Sequence, residues 1–270
     1  MPKKREPIDD LIDAHVWMAR TLPAQDCLMP KVDPNYHPAF PQPDDPGVLV
    51  WRYMDLAKLL GIVMREELQL IRLDQLPDEF EGMFPNKAQD AFVEWVKGGG
   101  GSPTDADIEM HLKNFRQWSP GARGSTYVSC WRIGNFESEA MWRIYCGTNN
   151  GVAIALPYEE LFASIPRSVA FVGQVTYLNF QEETFQPGNS FDLAMHKRHE
   201  FDYEEEVRIA KYPGSGGIST AIPWPTRFIQ KIVIGPYAQS WYRDVIRDAV
   251  ARISPALASK VEDSSMRGIR

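Results

Sequence analysis

The sequence predicts an α+β fold, with a mixed, mostly antiparallel sheet as core and helices flanking it. Three observations predict it. Short stretches of two-residue alternation outnumber long helical patterns, few strand–helix–strand crossovers are evident, and no fixed-period repeat is present. At 270 residues, with 44% hydrophobic and 24% charged residues, the chain can build a substantial core without disulfides or metal. We divide it into an N-terminal helix and proline-rich arm, 1–47, and a single α+β domain, 48–270.

Residues 8–22 place Ile8, Leu11, Ile12, Met18, Ala19 and Leu22 near a 3.6-residue period, with Asp9 and Asp10 at the favourable end, so a helix is expected. The proline-rich 23–47 reads as an extended arm. VLVWRY (48–53) is a strand, Asp55 caps a helix through Arg65, and LQLIRL (68–73) returns as a strand. An acidic loop with Asp74, Asp78 and Glu81 follows. Residues 86–97 and 104–118 look helical, separated by a glycine-rich tip, 98–103, expected to be mobile. Then come a strand at 125–132, a helix at 136–146 capped by Asn135, a strand at Val152–Leu156 and a short helix at Tyr158–Ile165. Residues 168–180 are β-rich, with Gly173 a candidate bulge. A helix is expected at 190–199, a long loop at 213–227, an interior strand at Phe228–Ile234 and a helix at 240–253. The tail from Val261 can add an edge strand.

Composition narrows the function. The net charge of −7 leaves no overall basic surface for phosphates, so there is no strong nucleic-acid signature. No run of 18 apolar residues exists, so no membrane span is expected. Three scattered cysteines without a CxxC argue for a reducing compartment and against structural zinc; a cytoplasmic protein is the expectation. There is no G-x-G-x-x-G, Walker loop, H-E-x-x-H or G-x-S-x-G. Cys130, in an apolar strand, reads as a buried, inert thiol.

The stretch HKRHEFDYEEEVRIAKY, 196–212, stands out. Strand alternation puts Glu204, Glu206 and Arg208 on one side, and Tyr203, Glu205, Val207 and Ile209 on the other. Two carboxylates about 7 Å apart repel by roughly 2 kcal/mol at an effective dielectric near 20. A solvated face is the simpler expectation. The alternative is an enclosed face with a cation opposite, for which Arg208, Lys197 and Arg198 are the candidates. Trp131, Met141, Trp142 and Tyr145 can line a ligand pocket, although such clusters are more often core. The acidic loop can supply metal oxygens with the two glutamates, or simply meet Arg72; the second is the better expectation, and no metal is expected.

Three stretches carry a family resemblance: LVWRYMDLAKLLGIVMREELQLIRLDQLPDEFEG (49–82), TYVSCWRIGNFESEAMWRIYCGTNNGVAIAL (126–156) and KRHEFDYEEEVRI (197–209). Together they resemble the bacterial and phage family called domain of unknown function 2971, a kinship that implies no established activity. The order of an early W-R-Y strand, an aromatic-rich middle and a late E-x-E strand is also similar to ADP-ribosyltransferase-like folds. That second resemblance implies NAD as a substrate and no metal. Glu206 would carry the chemistry with Glu204 and Arg208. Arg52 or Tyr53, and then Ser129 or Tyr145, would bind substrate; Arg72, Trp131 and Trp142 are the further binding candidates. The acceptor would be a macromolecule. Two further classes stay open: a non-catalytic binding or sensor module, for example in phage defence, and, third, a metal-dependent nuclease.

Overall fold

A computed structural model describes residues 39–98, 103–147, 150–185, 190–212 and 216–267. The expected helix at 8–22, most of the proline-rich arm and the centre of the glycine-rich tip lie outside them. Where the description begins, Ala39 and Phe40 are already buried with Val175, Phe191 and Met195.

Strand β1 (Leu49–Asp55) alternates as its sequence requires: Val50 and Met54 enter one core layer, Trp51 and Tyr53 the other. Helix α1 (Leu56–Arg65) starts where the Asp55 carboxylate accepts the Lys58 N–H at 2.8 Å. It stops at Glu66, whose φ of 51° turns the chain into β2 (Glu67–Arg72). Helix α2 (Ala88–Gly98) and the longer α3 (Asp105–Ser125) follow. A reciprocal capping box between Thr104 and Asp107 opens α3. It runs through Pro120, beyond the expected end at 118, while Ser119 Oγ donates to the Gly82 carbonyl at 2.8 Å.

After β3 (Tyr127–Ile133) comes α4 (Glu139–Cys146), which begins three residues later than expected. Its cap is Ser138, not Asn135; the Asn135 side chain instead accepts the Leu49 N–H at 3.3 Å. Next are β4 (Gly151–Pro157), α5 (Tyr158–Ser164), β5 (Phe171–Gln174) and β6 (Thr176–Leu178). Gly173 is not a bulge, because the β5 register is unbroken through it. A Cβ there would lie 2.6 Å from the Cβ of Phe40, so the glycine lets the arm pass close over the strand.

The helix expected at 190–199 stops early. Helix α6 (Ser190–Met195) gives way to β7 (His196–Arg198), which pairs parallel with β6, and a 3₁₀ turn spans His199–Glu204. Strand β8 (Glu206–Lys211) therefore begins at Glu206 rather than Tyr203, after Glu205 in the left-handed region at φ 43°. The loop expected at 213–227 contains β9 (Ser219–Pro223), an edge strand on β2. Its local signal is weak, and pairing with β2 supplies what propensity does not. Strand β10 (Lys231–Ile234), α7 (Ser240–Ile253) and β11 (Val261–Asp263) complete the order; β11 forms a parallel edge beside β10.

The main sheet runs β11-β10-β4-β1-β3-β2-β9, with β8 on β3 and β5 on β8. All of its pairings except β10–β11 are antiparallel. Strand β8 pairs with residues 127–132 of β3 and so occupies one whole edge of that strand. β1 and β2 must share the other edge. β1 takes one end, at Val50–Ile133 and Trp51–Arg132; β2 takes the opposite end, at Ile71–Val128 and Arg72–Tyr127. The sheet thus forks at the middle of β3.

One face of the sheet carries the largest core, where Leu59 and Ile62 of α1 and Ile246 and Val250 of α7 meet Trp131, Trp224 and the inward residues of β4 and β8. On the other face Met141 and Trp142 of α4 cover Trp51 and Tyr53, and Phe115 and Trp118 of α3 help form a further cluster.

Candidate functional site

Beyond Trp51–Arg132, β1 and β3 part. Their register, if continued, would set Tyr53 opposite Cys130. Instead a solvent-connected cleft of about 280 Å³ opens there. Trp51 and Tyr53 form one wall, and Cys130, Trp131 and Arg132 the facing one. Met141 and Tyr145 of α4 line it, as do Glu204 and Glu206. Tyr145 is 46% exposed.

Behind the glutamates lies a buried ion cluster. Arg208 is 0% exposed. Its Nε donates to Glu206 Oε2 at 2.6 Å, and its Nη1 donates to Glu81 Oε1 at 2.8 Å and to the Ala194 carbonyl at 2.6 Å. Lys197 lies between the three carboxylates, 3.3 Å from Glu206, 3.6 Å from Glu81 and in contact with Glu204. The Tyr177 hydroxyl accepts the Glu206 N–H at 2.9 Å. The enclosed alternative for the Glu strand is therefore the observed one, and the solvated face is corrected. Of the three candidate cations Arg208 and Lys197 are the partners, whereas Arg198 pairs with Asp78 at 2.8 Å. The reason is topological: β3 and β5 flank β8 on both edges and hold it inside the sheet, under α6, where an unpaired carboxylate would be costly.

Three carboxylates face two cations, so the cluster carries one surplus negative charge when all five are ionised. Burial and the neighbouring Glu206 charge push the Glu204 carboxyl above its ordinary range, against the pull of Lys197. Burial alone would raise Glu206 as well, but Arg208 and Lys197 outweigh it and hold Glu206 low. Burial disfavours charge on Lys197 and Arg208 too; the surrounding carboxylates more than compensate and raise both. Of these two glutamates, Glu204 accordingly takes a proton the more readily, and Glu206 stays ionised.

The remaining walls are inert by comparison. Burial, then the Glu206 charge, pushes the Cys130 thiol up to about 12. The Tyr53 hydroxyl accepts the Ser138 N–H at 2.9 Å, and burial pushes its phenol up to about 12. Arg132 folds across Gly134 to donate to the Phe136 carbonyl at 3.0 Å and pairs with Glu205. A Cβ at Gly134 would meet the Arg132 guanidinium at 2.8 Å.

Of the residues the sequence singled out, the cleft gathers Tyr53, Trp131, Tyr145, Glu204 and Glu206, with Arg208 immediately behind. Four others lie elsewhere. Arg52, one residue from Tyr53, points to the opposite side of β1. There Nη2 donates to the Gln69 carbonyl of β2 at 3.0 Å, and the guanidinium sits 5.8 Å over the Trp131 ring. Arg52 staples the two prongs of the fork. Burial lowers its pKa to about 10, and Nη1 has no hydrogen-bond partner among the described residues. Ser129 is buried and accepts the Trp131 Nε1–H at 3.2 Å. Trp142 is buried beneath α4 and donates to Glu137 at 2.9 Å. Arg72 pairs with Asp74 at 2.6 Å at the far end of β2.

Sequence reasoning did not single out Trp51 or Arg132 for the site; Glu81 entered only with the acidic loop, as a candidate metal ligand beside the two glutamates, and here it pairs with Arg208 and Lys197 instead. Trp51 and Arg132 were within reach, because each is two residues from a named or neighbouring lining position on its strand. Among the described residues, no group of three or more His, Cys, Asp or Glu side chains could hold a metal ion, and no helix is long and apolar enough to cross a membrane.

Residues 141–209 match the family described as protein of unknown function (DUF2971). The matched span holds α4 from Met141 onward, Lys197, Glu204, Glu206 and Arg208, and leaves out β1 and β3. No curated protein matches the chain. Among solved structures, the chain is similar to Thermus sp. 2.9 DarT in complex with ADP-ribosylated ssDNA. The identity is 11%, over 83% of this chain and 95% of that one, with a TM-score of 0.37. That superposition is too loose to equate residues.

Proposed function

We propose that the cleft binds the reacting end of NAD and transfers ADP-ribose to a macromolecular acceptor. The observation that carries the reading is a surplus carboxylate on the wall of an aromatic-lined cleft. In such a transfer the bond between ribose C1′ and the nicotinamide nitrogen breaks, and its electrons leave with nicotinamide. Positive charge develops on the ribose, and an acceptor oxygen or nitrogen then bonds to C1′ and gives up its proton. Glu206, held ionised by Arg208 and Lys197, supplies fixed negative charge near that centre without reorganising. Glu204 retains a proton more readily and suits hydrogen bonding to a ribose hydroxyl or receipt of the acceptor proton. Tyr53, Trp51 and Tyr145 offer ring surface to the nicotinamide.

The test is incubation of the purified protein with NAD labelled in the adenylate, alone and with cell extract. Label on a macromolecule or release of free nicotinamide, lost in Glu204→Gln shown to be folded, supports the reading. Neither product, with wild-type protein shown to be folded, rejects it.

A second reading is a binding module whose charges only hold the fold. Its support is that all five cluster charges are buried and paired internally. It expects Glu204 variants that fold to leave any cellular effect of the protein intact.

A further inference from the structure

The cleft wall formed by β1 is held by a loop, and the loop is held by the C-terminal segment. In the loop 134–138, the Gly134 carbonyl accepts the Trp51 indole N–H at 2.7 Å, and the Ser138 N–H donates to the Tyr53 hydroxyl at 2.9 Å. Both cleft-lining aromatics of β1 are thus tied to the same five residues.

Between those two ties lies Glu137, and its carboxylate is fully occupied. Oε2 accepts the Trp142 indole N–H at 2.9 Å and the Ser264 hydroxyl at 2.5 Å. Oε1 accepts the Ser265 backbone N–H at 2.7 Å and its hydroxyl at 2.8 Å. Ser264 is itself anchored, because its N–H donates to the Ile234 carbonyl at 2.9 Å, directly beyond β11. Met266 then packs against the layer that contains Trp51, Tyr53 and Trp142. Tyr53 meets Trp142 edge to face at 4.8 Å. The side-chain hydrogen bonds that join the tail to this loop converge on Glu137.

We propose that Glu137 is a positioning residue and that residues 264–266 form a strap: together they fix the loop that holds Trp51 and Tyr53 in place for a ligand. The substrate assignment rests on the reading of the cleft as an NAD site. The coupling between strap and cleft wall does not. Glu137 reaches no cleft atom itself and acts through Ser138 and Trp142. Four donors on one carboxylate make a strong and directional tether, since charge-assisted hydrogen bonds are the strong ones.

The test uses the full chain with changes on both sides of the tether. Glu137→Ala removes the acceptor. Ser265→Pro removes a backbone donor and a hydroxyl at a residue that touches no cleft side chain. Glu137→Gln keeps the shape and one acceptor oxygen. Two readouts are taken: amide hydrogen exchange at Ser138, and KM and kcat for nicotinamide release from NAD. We expect exchange at Ser138 to quicken about tenfold in Glu137→Ala and Ser265→Pro, with β4 and α7 still protected and Glu137→Gln in between. That corresponds to losing about one charge-assisted hydrogen bond. KM should rise about tenfold while kcat stays within about twofold. Unchanged exchange at Ser138 in both Glu137→Ala and Ser265→Pro overturns the coupling. Faster exchange with an unchanged KM in an active protein overturns the positioning role. A wild-type protein inactive on NAD fails the cleft assignment alone, and the exchange data then decide the strap. If Glu137→Ala does not fold, Ser265→Pro carries both measurements.

Discussion

Replacing Arg208 with methionine tests whether the ion cluster is as tightly balanced as its geometry indicates. The change deletes a guanidinium that is 0% exposed and leaves Glu206, 5% exposed, and Glu81, 2% exposed, with Lys197 as their remaining cation. Breaking a buried pair by removing one partner costs about 3–5 kcal/mol. A second estimate comes from proton uptake. The stranded cluster can relieve itself by protonating one glutamate, which at pH 7 costs about 4 kcal/mol for a group with an ordinary pKa near 4.3. The two figures agree, and the second changes by about 1.4 kcal/mol per pH unit. In Arg208→Met a carboxyl is then held above its unfolded value. The unfolded chain releases that proton first, so the penalty grows as pH rises above the ordinary carboxylate range. Urea unfolding followed by circular dichroism at pH 7 and pH 5 measures it. We expect a loss of about 4 kcal/mol at pH 7, shrinking to about 1–2 kcal/mol at pH 5, with the slope on urea unchanged. A typical domain has about 5–15 kcal/mol to lose, so the variant remains measurable. A loss under about 1 kcal/mol at pH 7, or one equal at both pH values, would refute the reasoning.

The same linkage gives Glu204 the opposite sign from a usual salt-bridged carboxylate. Its pKa is raised in the folded chain by burial and by Glu206, so its contribution is present below the ordinary range and lost as pH rises towards the raised value. Glu204→Gln should therefore melt at or above the parent near pH 7.5 and fall behind it towards pH 5; parallel melting curves from pH 5 to 8 would contradict the assignment. Gly173→Ala should cost about 1–3 kcal/mol in urea unfolding, because the new methyl meets the Phe40 backbone at 2.7–2.8 Å and the arm must shift. An unchanged midpoint would mean that the arm does not bear on β5.

Much of the framework was readable wherever the signal is local. Helix α7 runs over the residues its apolar spacing marks, and Asp55 caps α1 because cap chemistry needs only neighbouring atoms. Strand β9 was missed because its partner β2 is about 150 residues away in sequence. Asn135 and Ser138 both carry cap chemistry, and only the tertiary pull of Leu49 on Asn135 separates them. In the site, alternation on β1 implies that Arg52 and Tyr53 face opposite layers, but not which layer is the cleft. The glutamates share a side as a strand would have them, although Glu204 reaches that side from a 3₁₀ turn through left-handed Glu205. Glu81 enters from a loop over a hundred residues earlier; its acidic loop is readable as one that arginines neutralise, but which carboxylate meets Arg208 is decided by the fold alone.

The tether at Glu137 has a consequence for the order in which the molecule matures. The five charged groups all belong to the stretch between residues 81 and 208, so they can meet while the last part of the chain is still being made. The wall bearing Trp51 and Tyr53 has to wait for Ser264 and Ser265 to be synthesised. A nascent chain therefore carries its acidic residues before it carries the serines that tether Glu137.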